Sequence, residues 1–210
     1  MIIWNTNLSL DQQQLKETIA AIKSNKKNST TENYYTTYFT QSILDREEIV
    51  FVDQYKKTIG EAMIAMSLYH RCDYVFDHWM QVYPGGNDGH AVHDHYMPTA
   101  IISWVHFVEP SKTSCFYFID SMGNRIYPKQ EAGDFIVFSP WQLHGVDGFD
   151  GDCERVVIAG NVYAKKIYSP DNGKDLIQYE HKQDGNFTIK STGSYVNGTL
   201  DWEPKKNSVV

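Results

Sequence analysis

Cysteine is scarce in this chain, and basic charge is in deficit. The 3 cysteines among 210 residues (Cys72, Cys115 and Cys153) are odd in number, widely spaced and never in a CxxC pair. That argues against a disulfide framework and a thiolate zinc site, and fits a reducing, cytoplasmic setting. The 19 Lys and Arg are outnumbered by 26 Asp and Glu, giving a net charge of −7. A nucleic-acid partner is therefore not expected, because such affinity comes mainly from cationic side chains neutralising phosphates. No apolar run approaches the roughly 18 residues that a membrane-spanning helix needs, so no membrane partner is expected. The opening Met1-Ile2-Ile3-Trp4-Asn5 lacks the basic start and apolar stretch of a secretion signal. Aromatics, by contrast, are plentiful at 14%, too many for a disordered chain and ample for a core. A length of 210 residues against about 150 per domain predicts one domain with extensions.

Residues 1–72 read as an N-terminal helical segment that packs on a β barrel. Ser9-Leu10-Asp11-Gln12 resembles a capping box, and Leu15, Ile19 and Ile22 come next at helical spacing. Lys23 to Thr37 is polar and reads as a loop. From Ser42 to Tyr69, Leu44, Val52, Tyr55, Ile59, Met63 and Met66 recur at three- and four-residue steps, which predicts two amphipathic helices whose Met and Tyr stripe is core packing. After Cys72 the period changes to two. Tyr74–Tyr83, Thr99–Val108, Cys115–Ile119, Phe135–Phe138 and Val156–Tyr163 are short β-branched and aromatic runs, separated by Gly, Pro and Asn turn signals. Residues 73–164 are therefore expected to form an antiparallel sandwich or barrel. Residues 165–210 form a polar extension of the same domain, with weak strand patterns at Leu176–Tyr179 and Phe187–Ile189.

The chemistry concentrates in histidine. In Gly89-His90-Ala91-Val92-His93-Asp94-His95, His93 and His95 are two apart. On an extended strand such residues leave the same face, so both imidazoles can converge on one ion. A third ligand must come from elsewhere, and His144 stands after the run Gly133-Asp134-Phe135-Ile136-Val137-Phe138-Ser139-Pro140. Imidazole suits iron, copper, nickel or zinc, so ligand type alone does not choose the metal. His78 and His106 lie inside strand patterns and read as packed or hydrogen-bonded residues. His90 reads as an exposed loop residue, with an outer-shell role as the alternative.

Arg155 opens the strand Arg155-Val156-Val157-Ile158-Ala159-Gly160-Asn161-Val162, where alternation puts Arg155, Val157, Ala159 and Asn161 on one face. If that face lines the cavity, a guanidinium sits among aromatics and requires an anionic partner, which its fork would match as a carboxylate. The competing reading is a surface arginine paired with Glu154 or Asp152.

His93-Asp94-His95, the run from Ile102 to Pro110, the run Gly133–Pro140 leading to His144, and Arg155 to Asn161 together resemble the 2-oxoglutarate- and iron(II)-dependent oxygenases. The likeness spans Trp79 to Val162. It implies a double-stranded β-helix, a jelly-roll or cupin-like barrel, mainly β with N-terminal helices. It also implies an Fe(II) cofactor, 2-oxoglutarate and dioxygen as cosubstrates, and a hydroxylase-type oxidation of a protein side chain or small molecule. His144 would be an iron ligand and Arg155 the clamp on the far carboxylate of the cosubstrate. Most members carry His-x-Asp. Here the third ligand is expected to be His95, with Asp94 as the alternative. The position two after the arginine, often Ser or Thr in the family, is Val157, so further cosubstrate contacts are expected from Tyr83, Gln81 or Tyr117, with Asn161 on the face of Arg155. Trp79, Gln81 and Tyr83 share a strand face suited to a cavity wall. Helix-bearing members often pair through their N-terminal helices, which leaves a homodimer open.

Two rival readings remain at this level. Gly89-x3-His93-x-His95 and Gly133-Asp134-x5-Pro140-x3-His144 also resemble the cupin half-motifs, of a metal-dependent enzyme or a small-molecule module, although the usual glutamate is absent and Arg155 has no role there. A non-enzymatic β-sandwich with incidental histidines is the other.

Overall fold

The computed structural model describes residues 2–30, 34–38, 51–68, 72–97, 99–149, 154–168, 175–181 and 187–192. In chain order the elements are β1 (Ile2–Asn7), α1 (Gln12–Ser24), a 3-10 turn (Lys26–Asn28), β2 (Tyr35–Thr36), α2 (Val52–Ala65), β3 (Cys72–Tyr83), β4 (Asn87–His93), β5 (Ala100–Glu109), β6 (Phe116–Ile119), β7 (Arg125–Ile126), β8 (Asp134–Phe138), β9 (His144–Phe149), β10 (Arg155–Tyr168), β11 (Asp175–His181) and β12 (Phe187–Thr192).

From β3 onward the chain winds between two antiparallel sheets. β3, β10, β5 and β8 are neighbours in the larger sheet, and β4, β9, β6 and β7 form the smaller one. That interleaving is a double-stranded β-helix. Alternation along the strands of the large sheet divides the apolar residues between two cores. Met80, Val82, Ile102, Trp104, Phe135, Val137, Val156, Ile158 and Val162 face outward, where α1 presents Leu15, Ile19 and Ile22 and α2 presents Tyr55, Ile59, Ala62 and Met63. Trp79, Tyr83, Val105, Phe107, Ile136, Phe138, Val157 and Ala159 face inward and meet Phe116, Phe118 and Val146 of the small sheet. The helices brace one face of the large sheet and leave the other to line a cavity.

Several boundaries differ from the sequence reading. The N-terminal segment opens with a strand, β1, paired antiparallel with β8. The cap of α1 is Asp11, whose carboxylate accepts from the Gln14 N–H at 2.7 Å, rather than Ser9. The polar stretch Lys23–Thr37 holds the 3-10 turn and β2. Helix α2 runs unbroken past Gly60, while the expected helical pattern before Phe51 lies outside the described residues. The boundary at residue 164 falls inside β10, which continues to Tyr168 and pairs there with β11. Gly160 of β10 leaves no room for a side chain between β3 and β5: a Cβ there would stand 2.1 Å from the Asp77 carbonyl oxygen and 2.6 Å from the Trp104 ring.

His78 and His106 are buried, as strand residues of that pattern should be. His106 Nε2 donates to the Leu8 carbonyl at 2.9 Å, so its Nδ1 accepts from the Tyr55 hydroxyl at 2.8 Å. Burial lowers its pKa to about 4, against about 6.5 in an unfolded chain. The unfolded state therefore binds the extra proton between these values. The stabilisation from the neutral ring is present above pH 6.5 and is lost as pH falls toward 4. His106→Gln is expected to make the decline of stability between pH 6.5 and 4.5 shallower, by up to about 1.4 kcal/mol per pH unit. Urea unfolding with chelator present measures it, and an unchanged slope would contradict the assignment.

Candidate metal centre

The small sheet brings His93 and His144 side by side, as register partners on β4 and β9. His95 lies two residues beyond the end of β4, so the strand ladder does not orient it. Instead its N–H donates to the Pro140 carbonyl at 2.8 Å, tying it to the turn before β9. One candidate ligand atom from each of His93, His95 and His144 lies within 4.8 Å of the others. Ring centroids are 4.4 Å apart for His93–His144, 4.9 Å for His95–His144 and 5.2 Å for His93–His95.

Each ring is oriented by a hydrogen bond from Nδ1. His93 donates to the Ala91 carbonyl at 2.8 Å and His144 to the Gln142 carbonyl at 2.8 Å. His95 donates to Asn161 Oδ1 at 2.9 Å. A carbonyl oxygen can only accept, so each ring in its neutral form is held in the tautomer whose lone pair is on Nε2. Burial, and then the neighbouring imidazoles, lower the pKa of His95 to about 4 and of His144 to about 3. Neutral imidazoles with committed Nδ1 protons are the ligand form for a divalent first-row metal.

Asp94 is not part of the cluster. Its carboxylate accepts from the Tyr96 N–H at 3.1 Å and is exposed. His90 stands beside the cluster, 4.6 Å from the His93 ring centroid.

Arg155 is 1% exposed. It faces its register partner Tyr83 on β3, with the guanidinium carbon 5.0 Å from the phenol ring centroid. Among the described residues, its Nε and Nη1 have no hydrogen-bond partner. Glu154, proposed as a surface partner, pairs with Lys23 instead, and Asp152 lies outside the described residues. A buried cation with unmet donors is costly unless an anion completes it. Arg155 lines one inner cavity together with Trp79, Gln81, Tyr83 and the three histidines. An outer cleft of about 380 Å³ adjoins it, sharing Trp79, Gln81, His93 and His95 and adding Tyr34, Tyr38 and Tyr96.

Two expected cosubstrate contacts fall elsewhere. Tyr117 points to the outer side of the small sheet, under the Arg125 guanidinium at 4.5 Å, because Phe116 and Phe118 take the inward positions on β6. Asn161 is absent from the lining of the arginine cavity and its amide is bonded to His95. Sequence reasoning missed the residues around that amide. Ser103 donates to Asn161 Oδ1 at 2.7 Å, Asn161 Nδ2 donates to the Tyr163 hydroxyl at 3.0 Å, and Tyr163 donates to Asp77 Oδ2 at 3.1 Å. Strand parity could have found them: Asp77 shares the face of Trp79, Gln81 and Tyr83, and Tyr163 that of Asn161.

No protein-family model matches the chain, and no curated protein matches it. Solved structures do. A Pseudomonas putida prolyl-4-hydroxylase superposes with a TM-score of 0.55 at 16% identity, covering 77% of this chain and 91% of that one. A prolyl hydroxylase of Trichoplax adhaerens, solved with a hypoxia inducible factor peptide fragment, gives 0.52 at 13% identity over 77% and 83%. A Burkholderia pseudomallei oxidoreductase of the 2OG-Fe(II) oxygenase family gives 0.50 at 13% over 76% and 84%. The fold is the one these proteins share.

Proposed function

We propose that the protein is an iron(II)- and 2-oxoglutarate-dependent oxygenase, acting as a hydroxylase on a protein side chain or small molecule. The observation that carries this reading is Arg155, a buried guanidinium whose Nε and Nη1 meet no partner among the described residues, in the same cavity as three convergent imidazoles. The fold shared with prolyl hydroxylases supports it.

His93, His95 and His144 would hold the metal through Nε2. Bound iron(II) supplies the redox chemistry by which dioxygen oxidises the 2-oxo acid and a C–H bond of the substrate. The chain itself binds, orients and shields. Arg155 would take the distal carboxylate of the 2-oxo acid on its Nε and Nη1 protons. Tyr83, whose phenol burial keeps protonated, and Gln81 stand beside that position. Phe116, Phe138 and Val157 also line this cavity and would shield the bound carboxylate from water, which strengthens each electrostatic contact inside. The outer aromatic cleft, opening on the cluster through His93 and His95, would receive the primary substrate. A cupin-like metal module would share the histidines but gives the buried arginine no partner.

Anaerobic addition of iron(II) and then 2-oxoglutarate is expected to produce a weak visible charge-transfer absorption, and admission of air to release succinate. Iron binding without either signal at saturating 2-oxoglutarate would transfer the protein to the cupin-like reading.

A further inference from the structure

Three neutral imidazoles leave the charge of a divalent ion uncompensated by the protein. In the pattern that the sequence resembles, the residue two after the first histidine is an aspartate; here that position is His95. A carboxylate is nevertheless built into the same environment. Asp77 is 2% exposed on β3 and is the register partner of Asn161 on β10. Its Oδ1 accepts the Asn161 backbone N–H at 2.9 Å and its Oδ2 accepts the Tyr163 hydroxyl at 3.1 Å. Tyr163 in turn accepts from Asn161 Nδ2, which fixes the amide orientation and directs Oδ1 at His95 Nδ1.

The direction of every bond in this chain is determined. Burial raises the Tyr163 phenol pKa and the Asp77 carboxylate beside it adds to the rise, so Tyr163 stays protonated and donates to Asp77. With its hydrogen used there, the phenol oxygen can only accept from the Asn161 amide. Asn161 Oδ1 then receives two donors, His95 Nδ1 and Ser103 Oγ. Negative charge on Asp77 thus polarises the series toward the His95 ring, making its Nε2 a better donor to a cation.

We infer that Asp77, acting through Tyr163 and Asn161, is the positioning residue and counter-charge of His95, an outer-shell carboxylate standing in for one in direct contact with the metal. This rests on the metal-centre reading above. Taking a carboxylate out of water is costly, and a nearby dication offsets part of that cost.

The test is iron(II) and cobalt(II) binding to the whole chain, measured anaerobically by competition with a chromophoric chelator, alongside the unfolding temperature with and without metal. Asp77→Asn and Tyr163→Phe are each expected to weaken iron(II) binding about 10- to 100-fold. Both should shift the cobalt(II) d–d spectrum and shrink the metal-induced rise in unfolding temperature. Parent-like metal affinity in both variants overturns the inference and leaves the metal centre standing. A loss of affinity matched by an equal loss of metal-free stability also overturns it, because packing then accounts for the effect. Failure of the parent protein to bind either metal overturns the metal centre itself. Tyr163→Phe retains both the Asp77 carboxylate and the Asn161 amide and removes only the hydroxyl between them, so the inference stays testable if Asp77→Asn does not fold.

Discussion

Changing His144 to alanine is expected to lower iron(II) affinity by more than about 100-fold, beyond the 10- to 100-fold typical of outer-shell partners. The ring supplies one of only three ligand atoms in the cluster, and two imidazoles cannot define a facial site. His144 is also held more firmly than its neighbours: it is 4% exposed, its Nδ1 is fixed by the Gln142 carbonyl, and Phe116 and Phe138 pack on the ring at centroid distances of 5.6 and 5.1 Å. The substitution also removes buried packing, so metal-free stability should fall by about 2–4 kcal/mol. Asp94→Ala is the matched contrast. Its carboxylate caps the Tyr96 N–H on the surface, and its loss should change iron affinity by less than about threefold, the size of an exposed interaction. Chelator competition on both variants decides the ligand set. Near-parental affinity in His144→Ala, or a large loss in Asp94→Ala, would move the centre away from the three histidines.

The parts of this site that were legible in the sequence are those set by strand parity. Arg155 and Asn161 fall on one face of β10, and Trp79, Gln81 and Tyr83 on one face of β3, because side chains alternate whatever the tertiary context. Tyr117 was misplaced for the same reason in reverse. In Cys115-Phe116-Tyr117-Phe118-Ile119 every residue is apolar or aromatic, so the pattern cannot say which parity faces inward until β9 is seen to pair with β6. Strands β4 and β9 are rich in Gly, Asp and His, residues of low or middling strand preference, and they are extended because each is the other's partner. β1 was unreadable for a related cause: six residues with three polar ones become a strand only against β8. His95 was assigned inward by strand geometry, but it lies past the strand end and is aimed by hydrogen bonds to Pro140 and Asn161. The expected geometry was reached by a different physical route, and that route exposes the dependence on Asp77.

Arg155→Met should separate binding from folding by moving them in opposite directions. In the unliganded protein the guanidinium is almost fully buried, with Nε and Nη1 unmet. An apolar side chain of similar length removes that desolvation cost while keeping most of the packing against Tyr83. The metal-free, unliganded variant is therefore expected to unfold at an equal or higher urea midpoint. For 2-oxoglutarate the sign reverses. Its distal carboxylate would enter an apolar cavity with no cation to receive it, and losing one partner of a buried charge pair costs about 2–5 kcal/mol. That corresponds to a rise of roughly 30- to 5,000-fold in Kd. Iron(II) affinity should stay near the parental value, because Arg155 does not touch the three rings' Nδ1 partners. Pyruvate, which has the 2-oxo acid end but no distal carboxylate, should bind the parent and the variant alike. This contrast ties the loss to the carboxylate rather than to a disturbed metal. Isothermal titration of both acids into the iron-loaded protein, without oxygen, measures it. If Arg155→Met binds 2-oxoglutarate as the parent does, or weakens pyruvate by the same factor, the buried arginine is not a carboxylate clamp and the oxygenase reading loses its main support.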